Sequence, residues 1–191
     1  MVDESNAFNN LNRQLALANI ASLCPAFSRV LINTYRNDAK LFVGGGETIL
    51  SREGTTQGDP LAMAMYALAL VPMITRLSNV VKQVWYADDV AAAGHLADLR
   101  TWWDMLCDIG PQFGYFVNSS KTFLIVKGIH LPLARSIFGD TGVQFTTERN
   151  ITAQLMAEVC PNVSTKPLFN QLLMNVFFTA LQIVKVVLAL M

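Results

Sequence analysis

Apolar residues recur at helical spacing at Leu11, Leu15, Ile20 and Leu23, which predicts a helix over roughly residues 9 to 23. The Cys24-Pro25 step ends it, because proline has no amide to donate and its ring clashes with the preceding turn. A second helix is expected from Pro25 to Tyr35. Leu41-Phe42-Val43 and Thr48-Ile49-Leu50 flank three successive glycines, Gly44, Gly45 and Gly46, and predict a β-hairpin. Asp59-Pro60 then opens a long apolar helix, with Asp59 as its N-cap and Pro60 at the first helical position. Pro72 should kink or end that helix. Val80 to Tyr86 reads as a strand and Val90 to Ala93 as another, with Asp88-Asp89 in the turn between them. A further helix fits Leu96 to Leu106, and Thr122 to Val126 is strand-like. Helix and strand mix without regular alternation, which points to the α+β class.

The pattern changes near the far end. Gly142 is the last of the 11 glycines, and beyond Asn150 the only charged residues are Glu158, Lys166 and Lys185. A boundary is therefore expected near Arg149. From Leu168 to Met191 the chain is long and oily enough to raise a membrane span. Yet Gln171, Asn175, Thr179, Gln182 and Lys185 recur at steps of three or four, which puts the polar residues on one helical face. Lys185 would also be costly near the middle of a span. An amphipathic packing helix is the favoured expectation, and it argues against a membrane partner.

Composition adds constraints. Apolar residues make up 52% and charged residues 15%, and 14 basic residues balance 14 acidic ones. A protein that grips a nucleic-acid backbone carries a net basic surface, so neutrality argues against that role unless basic parts lie elsewhere. Cys24, Cys107 and Cys160 are odd in number and show no metal-binding spacing, which fits free thiols in a reducing compartment. The start of the chain is acidic and polar, unlike a signal or transit peptide. An intracellular, non-secreted protein is expected, with nucleus and cytoplasm both open.

Four short segments carry candidate chemistry. Asp88 and Asp89 are adjacent carboxylates bounded by apolar runs, and such charges raise each other's pKa unless a cation sits between them. No lysine or arginine lies between Lys82 and Arg100, whereas a divalent metal takes hard carboxylate oxygens. The alternative is a solvated turn, where aspartate is common. Asp3 heads Asp-Glu-Ser-Asn-Ala-Phe and could equally be a helix N-cap. In combination, a strand-end aspartate and a hairpin-turn pair can meet at one sheet edge and clamp two metals about 3.5–4 Å apart. Gln57 and Gly58 precede the helix opened by Asp59, a place for backbone and amide groups to touch a nucleotide, or simply a competent helix start. Lys121 precedes a strand, where a lone lysine is usually surface.

Taken in order, these segments resemble the palm motifs of the reverse transcriptase family of retroelements and group II introns. Asp3 to Phe8 is similar to motif A, Asp-x-x-x-Ala-Phe, and Gln57-Gly58-Asp59-Pro60 to motif B. Tyr86-Ala87-Asp88-Asp89 is similar to motif C, the Tyr-x-Asp-Asp box, and Asn118 to Thr122 to motif D, Asn-x-x-Lys-Thr. The resemblance implies an incomplete α+β fold, a polymerase palm-like antiparallel sheet packed on helices, over residues 1–148. Residues 149–191 would be a divergent helical tail. It further implies an RNA-directed DNA polymerase that uses two Mg²⁺ or Mn²⁺ ions, with RNA template, DNA primer and dNTPs as partners. Asp3 and Asp88 would bind the metals with Asp89 in support. Phe8 would be the steric gate against a ribose 2′-hydroxyl, Gln57 and Gly58 would lie along the nucleotide and template, and Lys121 would serve the leaving pyrophosphate.

The resemblance starts two residues before Asp3 and departs after about residue 148, so fingers and thumb segments are expected to lie outside it. A splice or frameshift near codon 149 is the hypothesis for the departure. A transcript reading continuously through that codon, in frame with close copies, would remove it. A non-catalytic remnant or nucleic-acid-binding module is the second expectation. A small protein whose C-terminal helix associates with membranes is the third.

Overall fold

Asn12 divides the first predicted helix in two. The computed structural model, which describes residues 1–147 other than 57, 78–80 and 87, has a single turn α1 at Ala7–Asn10 and then α2 at Arg13–Leu23. The Asn12 side chain accepts a hydrogen bond from the Leu15 amide at 3.0 Å, satisfying a donor that a helix start leaves orphaned. That cap moves the helix start to residue 13 from the expected 9. Asn12→Ala should cost about 1 kcal/mol in chemical denaturation.

Helix α3, Pro25–Tyr35, starts and stops where its proline and its apolar run predict. Strands β1, Ala39–Phe42, and β2, Thr48–Ser51, form the expected antiparallel hairpin, with Phe42 opposite Thr48. Helix α4, Ala62–Arg76, departs from expectation at both ends. Its N-cap is Leu61, and Asp59 stands two residues earlier, accepting from the Leu61 amide at 2.8 Å. Asp59 is therefore not the cap, because its other carboxylate oxygen is taken by the Tyr35 hydroxyl. Nor does Pro72 end the helix. Asn19 donates to the Ala69 carbonyl at 3.1 Å in the turn before it, and buried Leu70 and Met73 hold the helix on both sides.

Strands β3, Lys82–Tyr86, and β4, Asp89–Ala93, are antiparallel, with Tyr86 opposite Asp89. Helix α5 runs from Leu96 to Phe113, well past the predicted end. Trp102, Leu106, Gly110 and Phe113 are all buried, so the apolar face continues beyond Leu106 at helical spacing. A 3₁₀ turn at Ser119–Lys121 follows.

The chain forms two compact units, Met1–Thr122 and Phe123–Met191. In the first, α2 packs on α3 and α4, and α4 packs on α5. Ile20, Leu31, Met65, Tyr66, Met73 and Leu106 are at most 1% exposed and form its core. In the described part of the second unit, β5, Phe123–Ile125, pairs with β6, Gln144–Thr146. Helix α6, Leu131–Phe138, lies between them in the chain. That pairing is parallel, whereas the expected sheet is antiparallel throughout. A helical connection long enough to bring the second strand back in the same direction accounts for the difference.

The architecture is α+β, and among the described residues the named strands form small two-stranded pairings. Among the described residues no helix is long and apolar enough to cross a membrane. The boundary expected near Arg149 and the amphipathic helix expected beyond it lie outside the described residues.

Candidate functional site

The extended segment at residues 2–4 lies between two partners. On one side Val2 and Val90 exchange backbone hydrogen bonds of 2.8 and 3.2 Å. On the other, the Asn118 amide donates to the Asp3 carbonyl and the Ser5 amide to the Phe116 carbonyl, both at 2.8 Å. The Asp3 amide in turn donates to the Thr122 hydroxyl at 3.3 Å. The bridges Val2–Val90 and Glu4–Val117 are both antiparallel. The bridge to Val90 brings the Asp3 segment beside the Asp88-Asp89 turn, and the Asp88 charge acts on both Asp3 and Glu4. Segments far apart in sequence thus set Asp3 near Asp88 and Asp89 on one side, with the Lys121 charge acting on Asp3 from the run on the other.

Alternation along the segment separates its two carboxylates. Val2 and Glu4 are buried, at 3% and 5% exposure, while Asp3 between them is half-buried. Burial raises the Asp3 pKa above the ordinary carboxylate value, and the Asp88 charge adds to that. The Lys121 charge and a hydrogen bond with the Asn118 side chain oppose it. Asp89 is exposed as a residue, yet burial of its carboxyl is the largest cause of a raised pKa. Asp88 and Asp3 raise it further, and the chain's own ammonium opposes them. The Asp88 charge thus acts on both Asp3 and Asp89, and the Asp3 charge on Asp89.

Glu4 is the group that sequence reasoning leaves without a role. Burial pushes its pKa up to about 8, with smaller raising contributions from Asp88 and Asp3. The Tyr66 hydroxyl donates to its Oε2 and holds the value down, while Oε1 is buried with no hydrogen-bond partner. Tyr115, 1% exposed, donates its hydroxyl to the Asp88 carbonyl at 3.3 Å and so props the hairpin turn from inside. The signal for Glu4 is its place two residues from Val2 on a strand; Tyr66 and Tyr115 are hydroxyl-bearing rings within apolar stretches.

Phe8 sits on α1, its ring 4.9 Å from that of Tyr66. The loop before α4 comes to the same place, since the Thr55 amide donates to the Phe8 carbonyl at 2.6 Å and the Gly54 amide to that of Leu11 at 2.9 Å. Gly58 is exposed, with φ of 90° and open space around its α-carbon. Gln57 lies outside the described residues. Lys121 closes the 3₁₀ turn, exposed, and its charge reaches Asp3.

Hard carboxylate oxygens on neighbouring backbone segments are the donor set a divalent cation takes. Among the described residues, however, no group of three or more His, Cys, Asp or Glu side chains converges closely enough to hold a metal. No protein-family model matches the sequence, and a search of curated proteins finds no significant match.

Proposed function

We propose that residues 1–147 are the palm of an RNA-directed DNA polymerase, which joins dNTPs to a primer 3′-hydroxyl on an RNA template. The observation that carries this reading is the pairing of the Asp3 segment beside Val90, which brings Asp3 near the Asp88-Asp89 turn, with the Lys121 charge acting on Asp3. The four motifs in their order are the second support. Asp3 and Asp88 are the candidate holders of two Mg²⁺ or Mn²⁺ ions, with Asp89 beside them; their chemistry suits the ions, although among the described residues they do not form a group of three donors close enough to hold a metal. When bound, such ions activate the attacking hydroxyl and stabilise charge on the phosphate.

The chain's own residues supply the rest. Phe8, fixed against Tyr66 on α1, is placed to restrict the sugar of a nucleotide. Lys121 lends positive charge beside Asp3 and is suited to a departing pyrophosphate. Glu4, protonated at neutral pH, adds no fourth negative charge to the edge. A non-catalytic remnant that keeps the palm shape is the second reading, favoured by the lack of a converged three-donor group among the described residues.

Metal titration separates the two. The chain should bind Mn²⁺, followed by electron paramagnetic resonance, and Asp88→Asn should weaken that binding by about tenfold or more. The chain by itself is expected to be inactive; completed with fingers and thumb segments it should extend a primer on RNA with Mn²⁺, and that extension should vanish in the same variant. Undiminished extension by Asp88→Asn removes the polymerase assignment, and Mn²⁺ binding independent of both Asp3 and Asp88 favours the remnant.

A further inference from the structure

The run from Tyr115 to Asn118 leaves the glycine that ends α5 and reaches both carboxylate-bearing segments. Its backbone meets the first. The Phe116 carbonyl accepts from the Ser5 amide, and the Asn118 amide donates to the Asp3 carbonyl, each at 2.8 Å. Its first side chain meets the second, where the Tyr115 hydroxyl donates to the Asp88 carbonyl at 3.3 Å. Asp88 stands in the turn between the paired residues Tyr86 and Asp89, outside the ladder that fixes β3 against β4.

Tyr115 itself has little freedom. It is 1% exposed, and its amide donates to the Gly110 carbonyl at 3.0 Å. Gly110 comes so close that a β-carbon there would lie 2.6 Å from the Tyr115 carbonyl. On the β3 side, the ring meets that of Trp85 edge-on, with centroids 5.5 Å apart. The Trp85 ring in turn lies 6.4 Å from that of Trp102 on α5. Tyr115 is thus seated between α5 and β3, and its hydroxyl arrives at the turn from a fixed base. A phenylalanine would fill this seat without carrying a polar group into it. What the hydroxyl adds is a tie from the end of α5 to a turn residue that strand pairing leaves out.

We propose that Tyr115 is a positioning residue: through the backbone of the turn, its hydroxyl sets where the Asp88 carboxylate stands relative to Asp3. One short run then gauges both segments, by its backbone on the Asp3 side and by a single side chain on the Asp88 side. The inference rests on the reading above of Asp3 and Asp88 as holders of divalent ions.

The test uses the full 191-residue chain with Tyr115→Phe, which keeps the ring and removes the hydroxyl. Tyr35→Phe is the control, since it loses a hydroxyl bonded to Asp59 instead. With a chelator present, amide hydrogen exchange at Asp89 should quicken roughly fivefold in Tyr115→Phe, as the loss of one hydrogen bond implies. Exchange at Asn118 should not change, because the Asp3 side is held by backbone. Mn²⁺ affinity, followed by electron paramagnetic resonance, should fall on the order of tenfold. Tyr35→Phe should alter none of the three. Unchanged exchange at Asp89 overturns the proposal. So does equal quickening at Asp89 and Asn118 with lowered thermal stability, the mark of a merely structural role. Quickening at Asp89 alone with Mn²⁺ affinity unchanged also overturns it, and leaves the metal reading standing. If the unaltered chain binds no Mn²⁺, the metal reading falls and this inference with it.

Discussion

The Met1–Thr122 unit should lose roughly 3–5 kcal/mol of stability as the pH rises from about 5 to about 9, and Glu4→Gln should remove most of that slope. Glu4 moves from an ordinary 4.5 to about 8 on folding, so between those values the folded chain keeps a proton that the unfolded chain has released. Stability then falls with rising pH, since the folded state binds more protons. The contribution is fully present below the unfolded pKa and is lost once pH passes the folded one. Burial is the main cause. The facing groups are Tyr66, which donates to Glu4, the Phe116 backbone, and the carboxylates of Asp3 and Asp88.

Three other shifted groups enter the same profile. Asp3 and Asp89 are also raised, so they add slope of the same sign at more acid pH. The terminal ammonium of Met1 is lowered by burial and works the other way, gaining stability as pH rises toward 8. Comparing the unaltered chain with Glu4→Gln sets these three groups aside. Urea denaturation at pH 5, 7 and 9 with a chelator present measures it. Equal slopes for the two proteins would show that Glu4 is not held protonated in the folded state.

The elements that sequence reveals well are those with a local cause. Helix α3 has Pro25 at its first turn, and the β1–β2 hairpin has its glycines at the turn. Helix α5 is legible to Leu106 and no farther, because Gly110 and Pro111 read as breakers. The buried face carries on through both, which only packing reveals. Strand β5 falls within the strand expected at Thr122 to Val126, but β6 is beyond sequence reading: three residues cannot establish a period, and a parallel partner is remote in the chain.

The site divides in the same way. Asp3, Asp88, Asp89 and Lys121 stand out as charged residues in short patterned segments; in the structure the Asp88 charge acts on Asp3 and Asp89, and the Lys121 charge on Asp3. Glu4 and Arg13 look like surface charges in a list of residues. Their burial depends on Tyr66 and on the carbonyls of the loop at 51–54, both more than 35 positions away in the chain. Asp59 is misread for a related reason. The local rule makes it a cap, but Tyr35, 24 residues away, claims its carboxylate.

Gly114→Ala should destabilise the same unit by roughly 3–5 kcal/mol, through backbone strain and overpacking together. Gly114 ends α5 at φ of 82°, a left-handed conformation that side chains resist, and a β-carbon there would run into the Asn10 carbonyl and the Asn12 amide. Neither can retreat. The Asn12 amide is bonded to the Phe113 carbonyl at 3.0 Å, and its side chain donates to the Gln112 carbonyl at 3.1 Å while capping α2. The corner also launches Tyr115 and the strand-like run that bonds to Asp3 and Ser5, so strain there reaches the carboxylate edge. Gly44→Ala is the control, since it stands in open space at no special φ, and should change stability by less than about 0.5 kcal/mol. Denaturation curves for the two variants measure the contrast. A Gly114→Ala protein as stable as Gly44→Ala would mean that α5 can end without the left-handed turn. The route by which the 116–118 segment reaches Asp3 would then need another cause.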